Sequence, residues 1–241
     1  MRLPTTLLVG AFAALLLTSA CTSAAGPAST SASVEGSEGA GAADGAESSG
    51  AVLPVAVNGP VEGVFLIPSR AGDALSVEQP AKDAPLEDQI GAKLREDLLQ
   101  RALVPGRTSV SCPDGIKVEA GATSRCTVVY EGVEVPYSVQ ISASYDQAQG
   151  LVSYTMLPSK TVVVAKTVQA KLYDKYGPGS GLADTSKLAC QEMPAVAVYD
   201  SGEDTDFTCQ YWSPHAPSGK PGYTTLQVVI RGGGFQFKQV G

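Results

Sequence analysis

Few residues in this chain are of a type and spacing that could carry out chemistry. A nucleophile needs a base beside it, most often histidine, and His215 is the single histidine among 241 residues. It lies in Ser213-Pro214-His215-Ala216-Pro217-Ser218-Gly219-Lys220-Pro221-Gly222. No Gly-x-Ser-x-Gly elbow is present to partner it, so it reads as an exposed loop residue. The densest acidic run, Asp200-Ser201-Gly202-Glu203-Asp204-Thr205-Asp206, offers oxygens at 200, 204 and 206 to a calcium ion. A helix–loop–helix calcium loop, however, wants glycine at its sixth position and glutamate at its twelfth; Thr205 and Tyr211 stand there. The run therefore reads as a solvated turn. Arg231-Gly232-Gly233-Gly234 lacks the following helix that lets a glycine loop cradle phosphate, and it reads as a hairpin before Phe235. Serine–lysine and carboxylate-pair mechanisms are open to this composition, but no spacing proposes one. No catalytic residue, metal ligand or cofactor is assigned.

Two groups of side chains remain. Beyond Cys21 there are four cysteines, Cys112, Cys126, Cys190 and Cys209. None forms a Cys-x-x-Cys pair and none has a histidine companion, as a redox or zinc site would want. Tyr211 and Trp212 directly precede the proline-rich loop and Tyr223 directly follows it. If they face outward they form an interaction patch of the aromatic kind enriched at hot spots; packing at the base of the loop is the alternative.

Composition narrows the setting. A chain with a net charge of −7 and no basic cluster lacks the electrostatic footprint that nucleic acid demands. Arg2 precedes an apolar run from Leu7 to Leu17, too short to span a bilayer, and Thr18-Ser19-Ala20-Cys21 follows. This is a secretory signal over residues 1–20. Its end resembles the lipobox of bacterial lipoproteins, whose cysteine thiol receives a diacylglyceryl group, which implies that Cys21 becomes a lipidated first residue. The expected location is the extracytoplasmic face of the cell membrane, with acyl chains in place of a spanning helix. Residues 22–50 are Ala, Gly, Ser, Thr and Pro with one valine and four acids. They cannot bury enough apolar surface to offset chain entropy and read as a disordered tether with a reach of about 30 Å.

The elements that must position any site come next. Residues 52–84 alternate valines and other apolar residues with Pro54, Pro60, Pro68 and Pro80, so any strand there is short and at an edge. Asp83 reads as an N-cap with Pro85 just inside the helix. Leu86, Ile90, Leu94, Leu98 and Ala102 then form one helical stripe. The period next drops to two: Cys126, Val128 and Tyr130, a Glu131-Gly132 turn, then Tyr137, Val139, Ile141 and Ala143. Leu151, Ser153, Thr155 and Leu157 suggest a third strand.

The order then repeats. Val164, Val168, Leu172 and Tyr176 make a second stripe stopped by Gly177-Pro178-Gly179. Leu188-Ala189-Cys190 aligns with Val110-Ser111-Cys112, Cys209 with Cys126, and Leu226, Val228 and Ile230 with Tyr137, Val139 and Ile141. Phe235 and Phe237 close the series. Four cysteines allow three pairings; the repeat favours Cys112–Cys126 and Cys190–Cys209, because pairing within a copy lets each unit stand alone. Each bridge is worth about 3 kcal/mol in the chain-entropy account. The predicted fold is α+β, with two tandem small domains over 85–160 and 161–241. Each would be an amphipathic helix on a three- or four-stranded antiparallel sheet with one disulfide.

The signal with Cys21, the low-complexity tether, the helix, Ser109-Val110-Ser111-Cys112-Pro113-Asp114-Gly115, Gly121-Ala122-Thr123 and Cys126-Thr127-Val128 together resemble the actinobacterial lipoprotein family known as domain of unknown function 4333. The resemblance covers about residues 86–158 and, more faintly, 162–240, where Gln191-Glu192-Met193 replaces Pro-Asp-Gly. It implies a lipid-anchored envelope protein and no defined activity. The expected function is a non-enzymatic module that binds an envelope protein, wall polymer or small ligand. The alternatives are an envelope hydrolase or transferase with a serine and carboxylate site between the copies, and a spacer.

Overall fold

The chain enters the described structure along the edge of a sheet whose other strands come from its own C-terminal half. A computed structural model describes residues 51–146, 152–182 and 184–240; the signal, Cys21, the tether and Leu151 lie outside the described residues. In chain order the elements are β1 (Val55–Ala56), two 3₁₀ turns (Pro68–Arg70 and Gly72–Leu75), α1 (Leu86–Ala102), β2 (Thr108–Ser111), β3 (Thr123–Tyr130), β4 (Val133–Ile141) and β5 (Tyr154–Pro158). There follow β6 (Lys160–Val164), α2 (Ala165–Tyr176), β7 (Ser186–Cys190), β8 (Val196–Asp200), β9 (Asp204–Ser213), β10 (Gly222–Arg231) and β11 (Gly234–Val240). The fold is α+β, with helices packed on antiparallel sheets and two disulfides. Among the described residues no helix is long and apolar enough to cross a membrane.

In the first half the sheet order is β2-β3-β4-β5. Side chains alternate across a strand, so Cys126, Val128 and Tyr130 of β3 and Val135, Tyr137, Val139 and Ile141 of β4 all turn to one face, where they are buried. Ile90, Leu94 and Leu98 of α1 cover that face and are themselves fully buried. Glu131 and Gly132, both at positive φ, make the two-residue turn between β3 and β4, the backbone that a tight hairpin requires.

Details at the element ends depart from expectation. The N-cap of α1 is Pro85, not Asp83, and no side chain caps it. Instead the Gln89 side-chain amide donates to the Ala84 carbonyl at 2.8 Å, tying down the approach that Asp83 was expected to cap. Ala143 lies past the end of β4, in a turn. The third strand exists, but its buried-side residues are Tyr154 and Met156, while Leu157 points out. The physical reason is register: Met156 lies opposite the buried Val139, and Leu157 opposite Ser138.

The second half is also a helix on an antiparallel sheet. Its sheet order is β7-β9-β10-β11, with β1 added outside β7. Cys126 lies opposite Tyr137 on β3–β4, and Cys209 lies opposite Leu226 on β9–β10, so both sheets use one register around their cysteines. Val168, Leu172 and Tyr176 of α2 pack with Leu188, Cys190, Cys209, Leu226, Val228 and Ile230. Gly177 ends the helix: a Cβ there would stand 2.5 Å from the Tyr173 carbonyl oxygen. Val164, expected to begin this helical stripe, is instead the last residue of β6 and faces the first core.

The two halves share a wall. β6 and β8 pair only with each other. Along β6, Val162 and Val164 enter the first core and Val163 enters the second, as strand alternation dictates when both faces are covered. The Thr167 hydroxyl of α2 donates to the Ala102 carbonyl at the end of α1, at 2.8 Å, in a buried position. Residues 52–84 cross both halves. Val55 and Ala56 pair with Cys190 and Ala189, and Val57 is buried in the second core, while Ala71 and Leu75 fill the first. The described residues belong to one compact unit.

Candidate functional site

One disulfide ties directly opposed residues of neighbouring strands, and the other ties a strand to the residue that follows its neighbour. Cys112, one residue past β2, bonds Cys126 of β3, and Cys190 of β7 bonds Cys209 of β9. Cys190 and Cys209 are fully buried, out of reach of an external thiol in the folded state. Cys112 is partly exposed and lines a cavity of about 570 Å³ between α1 and residues 78–81. The lining of that cavity carries Glu78, Glu87 and Asp88 against one cation, Arg95, whose Nε donates to the Thr108 hydroxyl at 3.1 Å.

One polar cluster joins a helix to a sheet. The Tyr137 hydroxyl donates to Asp97 Oδ2 at 2.8 Å, and Arg101 Nε donates to the same oxygen at 2.6 Å. Burial, reinforced by the Asp97 carboxylate, pushes the Tyr137 hydroxyl far above the ordinary tyrosine range. Burial works against the Arg101 charge, yet the hydrogen bond and charge of Asp97 outweigh it and the guanidinium pKa rises. Tyr137 thus stays a neutral donor, the opposite of what a tyrosine nucleophile or base needs, and Oδ2 of Asp97 is already taken by two donors. The arrangement pins α1 to β4. The sequence did carry its signal: Asp97 and Arg101 are four apart on a helix.

The aromatic residues divide between the two faces of the second sheet. Tyr211 lies on the α2 side with Cys209 and stacks on Tyr176, ring centroids 4.7 Å apart. It therefore does not belong with the other two, a correction that follows from strand alternation. Trp212 and Tyr223 are directly opposed on β9 and β10 and turn to the face away from α2, both partly exposed. Lys187 joins them. A register shift between Ser186 and Ala189 gives Lys187 a φ of +49° and places its ammonium 5.4 Å from the Trp212 ring centroid, the re-aiming that bulges perform. Gln210, two residues before Trp212 and on the same face, is buried with its side-chain nitrogen unpartnered. A buried unmade hydrogen bond of this kind costs about 1–3 kcal/mol. Gln210 and Lys187 carry no signal in the sequence, because a bulge and an orphaned amide leave no periodic trace.

The remaining motifs are dispersed. His215 is exposed in the β9–β10 loop. Asp200 closes β8 and pairs with Lys160, while Asp204 opens β9 and pairs with Arg231 and Lys238. Among the described residues no group of three or more His, Cys, Asp or Glu is placed to hold a metal. Gly232 and Gly233, both at positive φ, form the turn between β10 and β11. Between the halves, where a serine and carboxylate site was the alternative, stand the buried residues Thr161–Val164 of β6.

No curated protein and no solved structure matches the chain. Residues 69–146, which run from the first 3₁₀ turn through β4 and include the core residues Ala71 and Leu75, match the family described as Domain of unknown function (DUF4333).

Proposed function

We propose that this protein is a lipid-anchored module of the cell envelope that binds an envelope protein or wall polymer through the Trp212–Tyr223 face. The observation that carries the binding reading is that face itself: two opposed, partly exposed aromatic rings, a lysine re-aimed beside them, and a buried amide lacking its partner. Tryptophan and tyrosine are among the residue types enriched at interaction hot spots. The anchor is supported by the apolar run from Leu7 to Leu17 and the Thr18-Ser19-Ala20-Cys21 that follows it. Residues 161–241 are a second, divergent copy of the matched domain, a reading supported by the common sheet order and the common register at the cysteines. The first β-strand pairs with β7, so the described chain begins beside the second half.

A crosslinking pull-down from intact cells tests this. Wild type, Cys21→Ser and Trp212→Ala/Tyr223→Ala chains are compared. Wild type is expected to recover a defined partner set, Cys21→Ser to leave the membrane fraction, and the double variant to lose the set while keeping the wild-type circular dichroism. Recovery of the same set by the folded double variant would overturn the assignment of the face, and membrane retention of Cys21→Ser would overturn the anchor.

A further inference from the structure

Lys171 of α2 is a half-buried lysine with an unusual set of neighbours. Its ammonium lies 4.3 Å from the centroid of the Phe235 ring, and among the described residues no carboxylate pairs with it. Loss of water lowers its pKa. Beside it opens a cavity of about 400 Å³ walled by Leu66, Phe235 and Phe237, with Lys175 as a second cation and Asp174, exposed, as the one acid. A neighbouring cavity of about 300 Å³ shares Leu66 and Asp174 and continues over Val61, Val64, Ala170 and Tyr173. Both volumes lie within or at the edge of the range of small-molecule sites, about 300–1,000 Å³.

These observations define a ligand chemistry. A half-buried ammonium with no paired carboxylate leaves its charge open to an anion, and the cation–π contact with Phe235 only partly replaces lost hydration. The first cavity holds two ammonium groups to one carboxylate beside the apolar walls of Leu66, Phe235 and Phe237, and the second adds Val61, Val64, Ala170 and Tyr173, with Asp174 shared and Ser180 also in its lining. We propose that this trough binds an aliphatic carboxylate, with the head group on Lys171 and Lys175 and the chain along Leu66, Val64 and Tyr173. The site shares no residue with the Trp212–Tyr223 face and does not depend on that reading.

The test uses the full chain carrying Cys21→Ser, so that no acyl group of its own competes, titrated calorimetrically with decanoate, decanol and inorganic phosphate. Decanoate is expected to bind saturably at one site, with decanol and phosphate at least tenfold weaker. Lys171→Met keeps the length and apolar stem of the side chain and is expected to weaken decanoate at least tenfold. In the chain that retains Lys171, decanoate is expected to slow reductive methylation of Lys171 relative to the exposed lysines, a measurement that needs no variant to fold. Trp212→Ala/Tyr223→Ala is expected to leave decanoate binding unchanged, so that failure of either site is distinguishable from failure of the other. Absence of saturable decanoate binding, equal binding of decanol, unweakened binding by Lys171→Met, or an unprotected Lys171 would each overturn the proposal.

Discussion

Leu94→Ala, in the core of the first half, is expected to be felt by a fluorophore in the second. Leu94 is fully buried between α1 and the first sheet. The substitution removes three carbons, about 2.4 kcal/mol at roughly 0.8 kcal/mol per buried methylene, and the unfilled cavity raises the loss to about 3–4 kcal/mol. Trp212 is the single tryptophan and lies on β9 of the other half, so its fluorescence in urea reports a sheet that Leu94 does not touch. Val162 and Val164 face the first core and Val163 the second, and β6 cannot lose one partner surface while keeping its place on the other. With a urea m-value on the order of 2 kcal/mol/M, the Trp212 midpoint is expected to fall by about 1.5–2 M, coincident with the far-ultraviolet dichroism transition. A Trp212 midpoint unmoved by the substitution, with a separate dichroism transition appearing at lower urea, would show that the halves unfold independently and that the shared wall does not couple them.

Cys190→Ala/Cys209→Ala, which opens a bridge of sequence separation 19, is expected to cost about 3 kcal/mol in urea unfolding with the other bridge intact; no change in midpoint would remove the chain-constraint account. Burial, with a smaller contribution from the Glu131 charge, raises the Tyr130 hydroxyl from 10.0 to about 12. The fold therefore favours the neutral form: its contribution is whole below pH 10 and is lost as pH climbs toward 12. Wild-type denaturation midpoints should fall more steeply across that window than those of Tyr130→Phe, and parallel slopes would refute the assignment. Deleting residues 51–58 strips Val57 from the second core and uncovers the β7 edge. The expected results are a loss of about 1.5–3 kcal/mol and concentration-dependent association on size exclusion, since open edges recruit strands; an unaltered monomer at every concentration would count against β1 as an edge cover.

Local pattern reached far into this molecule where a single surface decides burial. The α1 stripe from Ile90 to Ala102, the β3 and β4 faces and the Glu131-Gly132 turn were readable because each depends on residues within a few positions. The third strand was readable only in existence: Tyr154 and Met156 against Thr155 and Leu157 offer two apolar alternations, and only the partner register at Val139 chooses between them. Thr161–Val164 carried no period at all. A strand covered on both faces is apolar at every position, so Val164 carries the same local signal as the helical stripe that follows it. For the candidate site, Trp212 and Tyr223 were visible as residues flanking a loop, whereas the separation of Tyr211 from them required strand limits that begin at Asp204 and Gly222.

What the amino-acid sequence determined alone is the amphipathic stripes of α1, α2, β3, β4 and β10 and their order along the chain. Each rests on periodicities of two or 3.6 that neighbouring side chains enforce. Tertiary structure alone decided that β6 and β8 stand between the cores, that β1 closes the edge of β7, that Lys187 reaches Trp212 and that Lys171 lies on Phe235. Those are contacts between segments far apart along the chain. They follow from which exposed apolar surfaces remain to be covered once each unit has formed, and that choice is made by packing in three dimensions, with no counterpart in the local pattern of any one segment.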